Sequence, residues 1–512
     1  MSSITPYPAS FARGRRFAVA AGHPAAAEAA SAVMREGGNV ADAAVAASAM
    51  LAVALPHANS IGGDMLGLYR DATTGMVHGL DAAGVAPSGA TPEAFPEGIP
   101  RRGARASVVP GIVSGWSLLH TRFGRMAWAD VLSAAVSGAA RGIPRASGMR
   151  EFVVECRADL AADPGCRGLF IAGGGAEPML HQPALGESLS RIARYGASEF
   201  YDGQLADRFS DFVRRAGGLI TREDLRRYQA RWTIPLEGHY RGHQVHVLPP
   251  SSFGLLLLMQ LAGLETVPSS LPAPARLEAQ LQAMRAAFVL GEGLVHDGEP
   301  SLSQTQLSPL LDAMRQAMRE PFDTPQELPG GTACVVAGDA DGNLAVLVQS
   351  VFRPFGAACL DAETGILLNN RMLGFSAVPG GPNCVAPGKR PRHTLCPVLV
   401  MRDGLPRWAL ASPGGLSQTA TLAQVLSGLV DQGLTPAKAV AQPRWCLSRE
   451  REVLIEQHYP CGIETGETGE TGGLKVRDDP YAFGSAKVVE WSLGGGLIAA
   501  ADGRRNAKAT AI

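Results

Sequence analysis

Thr332 carries the chemistry with the clearest local signature. It follows Gly330-Gly331 and opens the run Thr332-Ala333-Cys334-Val335-Val336. Cutting the Gly331–Thr332 peptide bond would give this one residue a hydroxyl and a free α-amine. The amine can then act as base for its own hydroxyl. An unperturbed α-amine titrates at about 7.7–8.0, so a useful fraction is neutral near neutrality. The two glycines leave the backbone free to adopt conformations that other residues avoid. The alternative is that Thr332 only opens a buried strand, since Gly-Gly-Thr is common before strands.

The elements that must position Thr332 are legible around it. Residues 332–336 and 344–348 read as a hairpin, joined by a turn with Asp341-Gly342 at its centre. Pro321, Pro325 and Pro329 precede it. Near the N-terminus, His23-Pro24 starts a helix that Gly37-Gly38 stops. Asn39 or Asp42 caps a second helix, apolar nearly all round over 43–55 and ended by Pro56. His57-Ala58-Asn59-Ser60-Ile61-Gly62-Gly63-Asp64 is then a glycine turn into a strand at 65–70. It lacks the GxGxxG spacing and the following helix of a dinucleotide site. Further strands are expected at 77–80, 104–109, 218–220, 236–240, 244–248, 365–368, 395–401, 408–412, 486–491 and 497–501. Helices are expected at 110–121, 128–141, 187–195, 203–216, 255–264, 277–290, 417–432 and from Pro436, and Thr221 caps a short one. Three Glu-Thr-Gly units within 464–473 read as an exposed loop. Strands flanked by buried helices predict a layered sandwich.

Bulk properties narrow the function classes. The chain has 512 residues, 46% of them hydrophobic, which suffices for a large core. A formal net charge of −1 argues against a nucleic-acid binder driven by phosphate contacts. The eight cysteines, Cys156, Cys166, Cys334, Cys359, Cys384, Cys396, Cys446 and Cys461, show no metal-like spacing. Scattered in this way they read as reduced thiols of a cytoplasmic protein. The longest apolar run, 41–56, contains Asp42 and is too short to span a membrane. No metal and no cofactor is called for.

Motifs along nearly the whole chain resemble the gamma-glutamyltranspeptidase family. They are Gly37-Gly38-Asn39-Val40-Ala41-Asp42-Ala43-Ala44, Asn59-Ser60-Ile61-Gly62-Gly63-Asp64, Gly218-Leu219-Ile220-Thr221, Asp224-Leu225 and Tyr240-Arg241-Gly242. In the last third they continue with Gly365-Ile366-Leu367-Leu368-Asn369-Asn370, Lys389-Arg390-Pro391 and Ser412-Pro413-Gly414-Gly415. The resemblance implies a four-layer αββα N-terminal-nucleophile fold and a precursor that cuts itself. The two subunits, 1–331 and 332–512, would stay together, and a homodimer of that heterodimer is compatible with it. Thr332 matches the nucleophile, Gly414 and Gly415 the oxyanion donors, and Ser350 a threonine that contacts the nucleophile.

The departures from the family concern the substrate. The arginine that grips the glutamyl carboxylate falls at Ala83, and an asparagine falls at Phe352. The amine-binding glutamine and aspartate fall at Arg371 and Gly374, and a serine pair falls at His393 and Thr394, just after Arg392. The nucleophile and oxyanion positions are kept while nearly every glutamyl contact is changed. Arg371, with Arg392 and His393, suggests an anionic acyl group lacking an ammonium, because arginine suits carboxylates; a structural ion pair is the alternative role for Arg371. The expectation is an amidohydrolase acting on a small amide, oxamate-like or a dicarboxylic monoamide. The alternatives are a gamma-glutamyl hydrolase or transpeptidase with a rebuilt site, and an inactive binding homologue.

Overall fold

A computed structural model describes residues 7–172, 178–298, 302–323, 325, 330–448, 450–460, 470–471, 474–494 and 496–512. Residues 464–469, 472 and 473 of the expected exposed loop lie outside this set, as do Cys461 and Pro329; Glu470–Thr471 forms a short strand.

Two seven-stranded sheets form the centre. The first runs, edge to edge, Lys508–Ala511, Phe17–Ala21, Gly331–Asp339, Leu344–Phe352, Asp64–Arg70, Val77–Ala82 and Arg231–Thr233. The second runs Ser10–Gly14, Gly496–Ala501, Lys487–Ser492, Leu405–Ala411, Val398–Arg402, His243–Val247 and Leu236–Tyr240. All the pairings within these sheets are antiparallel.

The layering follows from side-chain alternation along the central hairpin. Ala333, Val335 and Ala337 pack into the same core as the helices Pro24–Arg35 and Val40–Ala54. Cys334 and Val336 point the other way, into an apolar layer with Leu399, Ala409 and Val489 of the second sheet. That sheet's far face meets Gly254–Leu264, Ala273–Gly291, Gln304–Ala317 and Ser417–Val430. The result is the expected αββα sandwich. Every residue of Gly331–Asp339 and Leu344–Phe352 is buried, so the Thr332 hairpin is the heart of the molecule.

Local signals explain the helix starts. His23 caps the first helix, its Nδ1 accepting from the Ala25 N–H at 3.2 Å. Asn39 caps the second in a reciprocal box with Asp42. Thr221 and Asp224 form another such box.

Three strand expectations fail. At 104–109 the chain makes a 3-10 turn, Ala104–Ala106, and then an isolated bridge between Val109 and Val85. There the Asn369 side chain accepts from the Val108 N–H at 3.1 Å, the part a neighbouring strand would have played. At 365–368 Leu367 makes only an isolated bridge with Leu360. At 218–220 the Gly218 N–H bonds the Val213 carbonyl at 2.8 Å, closing the preceding helix instead. Ser10–Gly14, Phe17–Ala21 and Lys508–Ala511 are short strands that periodicity did not reveal.

Candidate functional site

The hairpin ends at Thr332. Gly331 lies opposite Phe352 and Thr332 opposite Ser350, with a bulge between Gly331 and Thr332. A Cβ on Gly331 would stand 2.8 Å from the His57 carbonyl oxygen and 3.0 Å from the Ala58 Cα, so only glycine fits there. Ser350 does not meet the Thr332 hydroxyl. It donates to the Gly331 carbonyl oxygen, the carbonyl of the Gly331–Thr332 peptide bond. The Phe352 N–H in turn donates to Ser350 Oγ at 2.7 Å. A hydroxyl so placed could stabilise negative charge on that carbonyl oxygen.

Gly414 and Gly415 reach the same place from the second sheet. They follow the strand Leu405–Ala411 and precede the helix Ser417–Val430. Their φ values of +141° and +57° need glycine. Gly330 packs on the pair: a Cβ built on it would lie 3.2 Å from the Gly415 Cα. Backbone N–H groups at the N-terminal end of a 14-residue helix suit an oxyanion. The Gln418 amide lies between Thr394 and Ser412, tying the Thr394 segment to this loop.

Arg371 sits one side chain away. Its guanidinium carbon is 4.5 Å from the centre of the Phe352 ring, and Phe352 is the register partner of Gly331. The Arg371 side chain is fully buried, and Nε donates to Asp64 Oδ2 at 2.9 Å. The ion-pair alternative is therefore realised. Arg371 Nη1 and Nη2, however, find no acceptor among the described residues. The Arg371 N–H donates to Asn369 Oδ1 at 3.0 Å, so the Asn369-Asn370 motif fixes where the side chain starts. Burial pushes the Asp64 carboxyl up to about 6, against the pull of Arg371 and the Gly84 N–H. Burial also lowers the Arg371 pKa. Both shifts agree that desolvation outweighs the attraction within the pair.

The other two residues read with Arg371 as substrate-binding, His393 and Arg392, are placed differently. His393 is fully buried with Nε2 3.5 Å from Asp64 Oδ2. Burial first, then Arg371 and Arg390, hold its pKa well below the usual histidine range, so it is a neutral ring. Arg392 is not brought to the cluster. It pairs with Glu292 at 2.5 Å and lies over Phe253. Its backbone continues from His393, but alternation along an extended segment turns the side chain away.

Sequence reasoning missed four contributors. Asp64 closes the glycine turn and neutralises Arg371 from 307 residues away. His57, Lys487 and Arg505 line, with Thr332, a cavity of about 30 Å³. A larger cavity of about 380 Å³ adjoins it, sharing Gly330, Phe152, Tyr481 and Arg505 and reaching Gly414. Among the described residues no group of histidine, cysteine, aspartate and glutamate could hold a metal ion. Cys156, Cys166, Cys334, Cys359, Cys384 and Cys396 are free thiols, and among the described residues no helix is long and apolar enough to cross a membrane.

Two antiparallel sheets between helical layers, with a threonine at the end of a central strand and a glycine pair packed on the residue two before it, define an N-terminal-nucleophile amide hydrolase. The chain belongs to the gamma-glutamyltranspeptidase family, whose sequence profile matches residues 26–512. It is 31% identical over 453 residues to a glutathione hydrolase-like proenzyme of Bacillus subtilis, covering 85% of this chain and 86% of that one. It is also 31% identical over 447 residues to the oxamate amidohydrolase proenzyme of Klebsiella pneumoniae, covering 83% and 84%. The crystal structure of a cephalosporin acylase from Bacillus halodurans superposes with a TM-score of 0.89 at 27% identity, over 100% of this chain and 99% of that one.

Proposed function

We propose that this chain cuts itself before Thr332, giving subunits 1–331 and 332–512, and then hydrolyses small amides whose acyl part carries a carboxylate. In self-cleavage Thr332 Oγ attacks the Gly331 carbonyl carbon. Ser350 donates to the carbonyl oxygen as it becomes an oxyanion. The Gly331–Thr332 C–N bond breaks, the nitrogen ending with the proton from Oγ, and water hydrolyses the resulting ester of Gly331 on Oγ. The Thr332 α-amine so released then serves as base for the same hydroxyl in turnover. The tetrahedral intermediate formed on a substrate amide takes its oxyanion contacts from the Gly414 and Gly415 N–H groups. The small amine leaves, and water releases the acyl group from Thr332.

The observation that carries the acyl assignment is Arg371. It is fully buried beside the register partner of Gly331, with Nη1 and Nη2 lacking a protein acceptor among the described residues. Charged donors left unmatched in such a place cost several kcal/mol, so the site is completed by an anionic acceptor. The relative named as an oxamate amidohydrolase is consistent with that chemistry. Where a gamma-glutamyl substrate needs a cation for its carboxylate, this chain has the buried Ala83.

The test is ammonia release from oxamate, succinamate and glutaramate beside their uncharged counterparts, after intact-mass analysis has confirmed two chains. Anionic amides should exceed neutral ones by an order of magnitude or more in kcat/KM. Equal turnover of charged and uncharged amides would sink the acyl assignment and leave the nucleophile assignment standing.

A further inference from the structure

The inter-sheet face of the Thr332 strand meets a charged group that the reaction described above does not yet use. Thr332, Cys334 and Val336 share one face of Gly331–Asp339. Cys334 and Val336 lie in the apolar layer with Val489 and Trp491 of the strand Lys487–Ser492. Lys487 is two residues before Val489, so its side chain enters the same layer. It is buried and lines the small cavity together with Thr332. Its Nζ donates to the Ser485 carbonyl oxygen at 2.7 Å and to Ser485 Oγ at 3.1 Å.

We propose that Lys487 is a positioning residue for the nucleophile, its positive charge keeping the α-amine released at Thr332 neutral and able to accept a proton. This rests on Thr332 being the nucleophile. A second cation in a buried cavity is disfavoured by desolvation and by repulsion from the first, so the ammonium form of the new N-terminus loses its proton more readily. The hydroxyl then meets a base that is ready at neutral pH.

The other titratable groups around the cavity support this sign. Arg505 also lines it, adding positive charge; its Nη2 donates to the Tyr481 carbonyl oxygen, and Tyr481 completes that wall. His57 stays neutral, held down to about 3 by burial first and then by Arg505 and His23. Burial raises the Cys334 thiol, so it brings no negative charge beside Lys487. Asp502, the carboxylate behind Lys487, is committed to Arg444 at 2.6 Å and Arg504 at 3.0 Å. Burial lowers Lys487 itself from the ordinary lysine value, the same desolvation that acts on any cation there.

The experiment titrates the amine directly. Reductive methylation of the cleaved protein with 13C-formaldehyde labels the Thr332 α-amine, and its NMR shift is followed against pH. Wild type, Lys487→Met and Lys487→Arg are compared. The wild-type amine should titrate below the ordinary range of about 7.7–8.0. Lys487→Met should raise that value by about one unit and move the acidic limb of kcat/KM with it, and Lys487→Arg should restore both. If Lys487→Met is not cleaved, the wild-type titration decides alone: a value at or above about 8 overturns the proposal. An amine unmoved by Lys487→Met also overturns it and leaves Lys487 a packing residue. A wild-type chain that never cleaves refutes the Thr332 assignment instead, which intact mass reports before any titration.

Discussion

Replacing Arg371 with glutamine separates the acyl site from the fold. Arg371 Nε and Asp64 Oδ2 are 2.9 Å apart and both side chains are fully buried. Removing one partner of such a pair costs about 3–5 kcal/mol, because the other charge is left uncompensated. The pH dependence has a definite sign. Asp64 titrates at about 6 in the folded chain against an ordinary 3.8. Between these values the unfolded chain has released its proton and the folded chain keeps it. Stability from this group is therefore full below pH 4 and falls as pH rises through 6, by about 3 kcal/mol at about 1.36 kcal/mol per unit. Arg371→Gln removes a cation that lowers the Asp64 pKa, so the fall becomes larger and extends to higher pH. Thermal melts at pH 5 and pH 8 should show the variant destabilised at both and more so at pH 8. The double variant Asp64→Asn/Arg371→Gln carries no buried charge at this place and should regain most of the lost stability. The substrate panel is then run on that restored protein. Its preference for anionic over neutral amides should collapse while cleavage before Thr332 continues. A double variant that is stable, cleaved and still selective for anionic amides would falsify the role given to Arg371.

Three further outcomes follow from the same geometry. Ser350→Ala removes the donor to the Gly331 carbonyl and should slow self-cleavage by about 10²–10³, whereas Ser350→Thr keeps the hydroxyl; a gel time course on freshly made precursor distinguishes them, and an unchanged rate in the alanine variant contradicts the assignment. Gly331→Ala places a methyl 2.8 Å from the His57 carbonyl oxygen and 3.0 Å from the Ala58 Cα, so the strand end must shift and the chain should stay uncut by intact mass; normal cleavage would show that this junction yields. Gamma-glutamyl anilides should be poor substrates, because Ala83 and Gly374 supply neither a cation for the carboxylate nor an anion for the ammonium. Losing several kcal/mol of transition-state binding, at about 1.36 kcal/mol per tenfold, predicts rates at least a hundredfold below those on the monoamides. Comparable rates would mean that another residue holds the glutamyl group.

The sequence by itself determined what depends on neighbours in the chain. The hairpin around Asp341-Gly342 and the helix starts at His23, at Asn39 or Asp42, and at Thr221 are local demands of backbone geometry. Tertiary structure decided how charges are matched, because a charge is neutralised by whatever the fold brings within a few ångströms. Arg371 meets Asp64, 307 residues away, and its Nη1 and Nη2 have no acceptor among the described residues. Arg392, adjacent to His393 in the chain, pairs with Glu292 and leaves the site. Ser350 serves the Gly331 carbonyl and not the hydroxyl, since the bulge sets which atom faces it. Lys487 lies far from Thr332 in the chain and carries no motif; it shares a cavity with Thr332 because two sheets pack face to face and alternation turns both side chains into the gap.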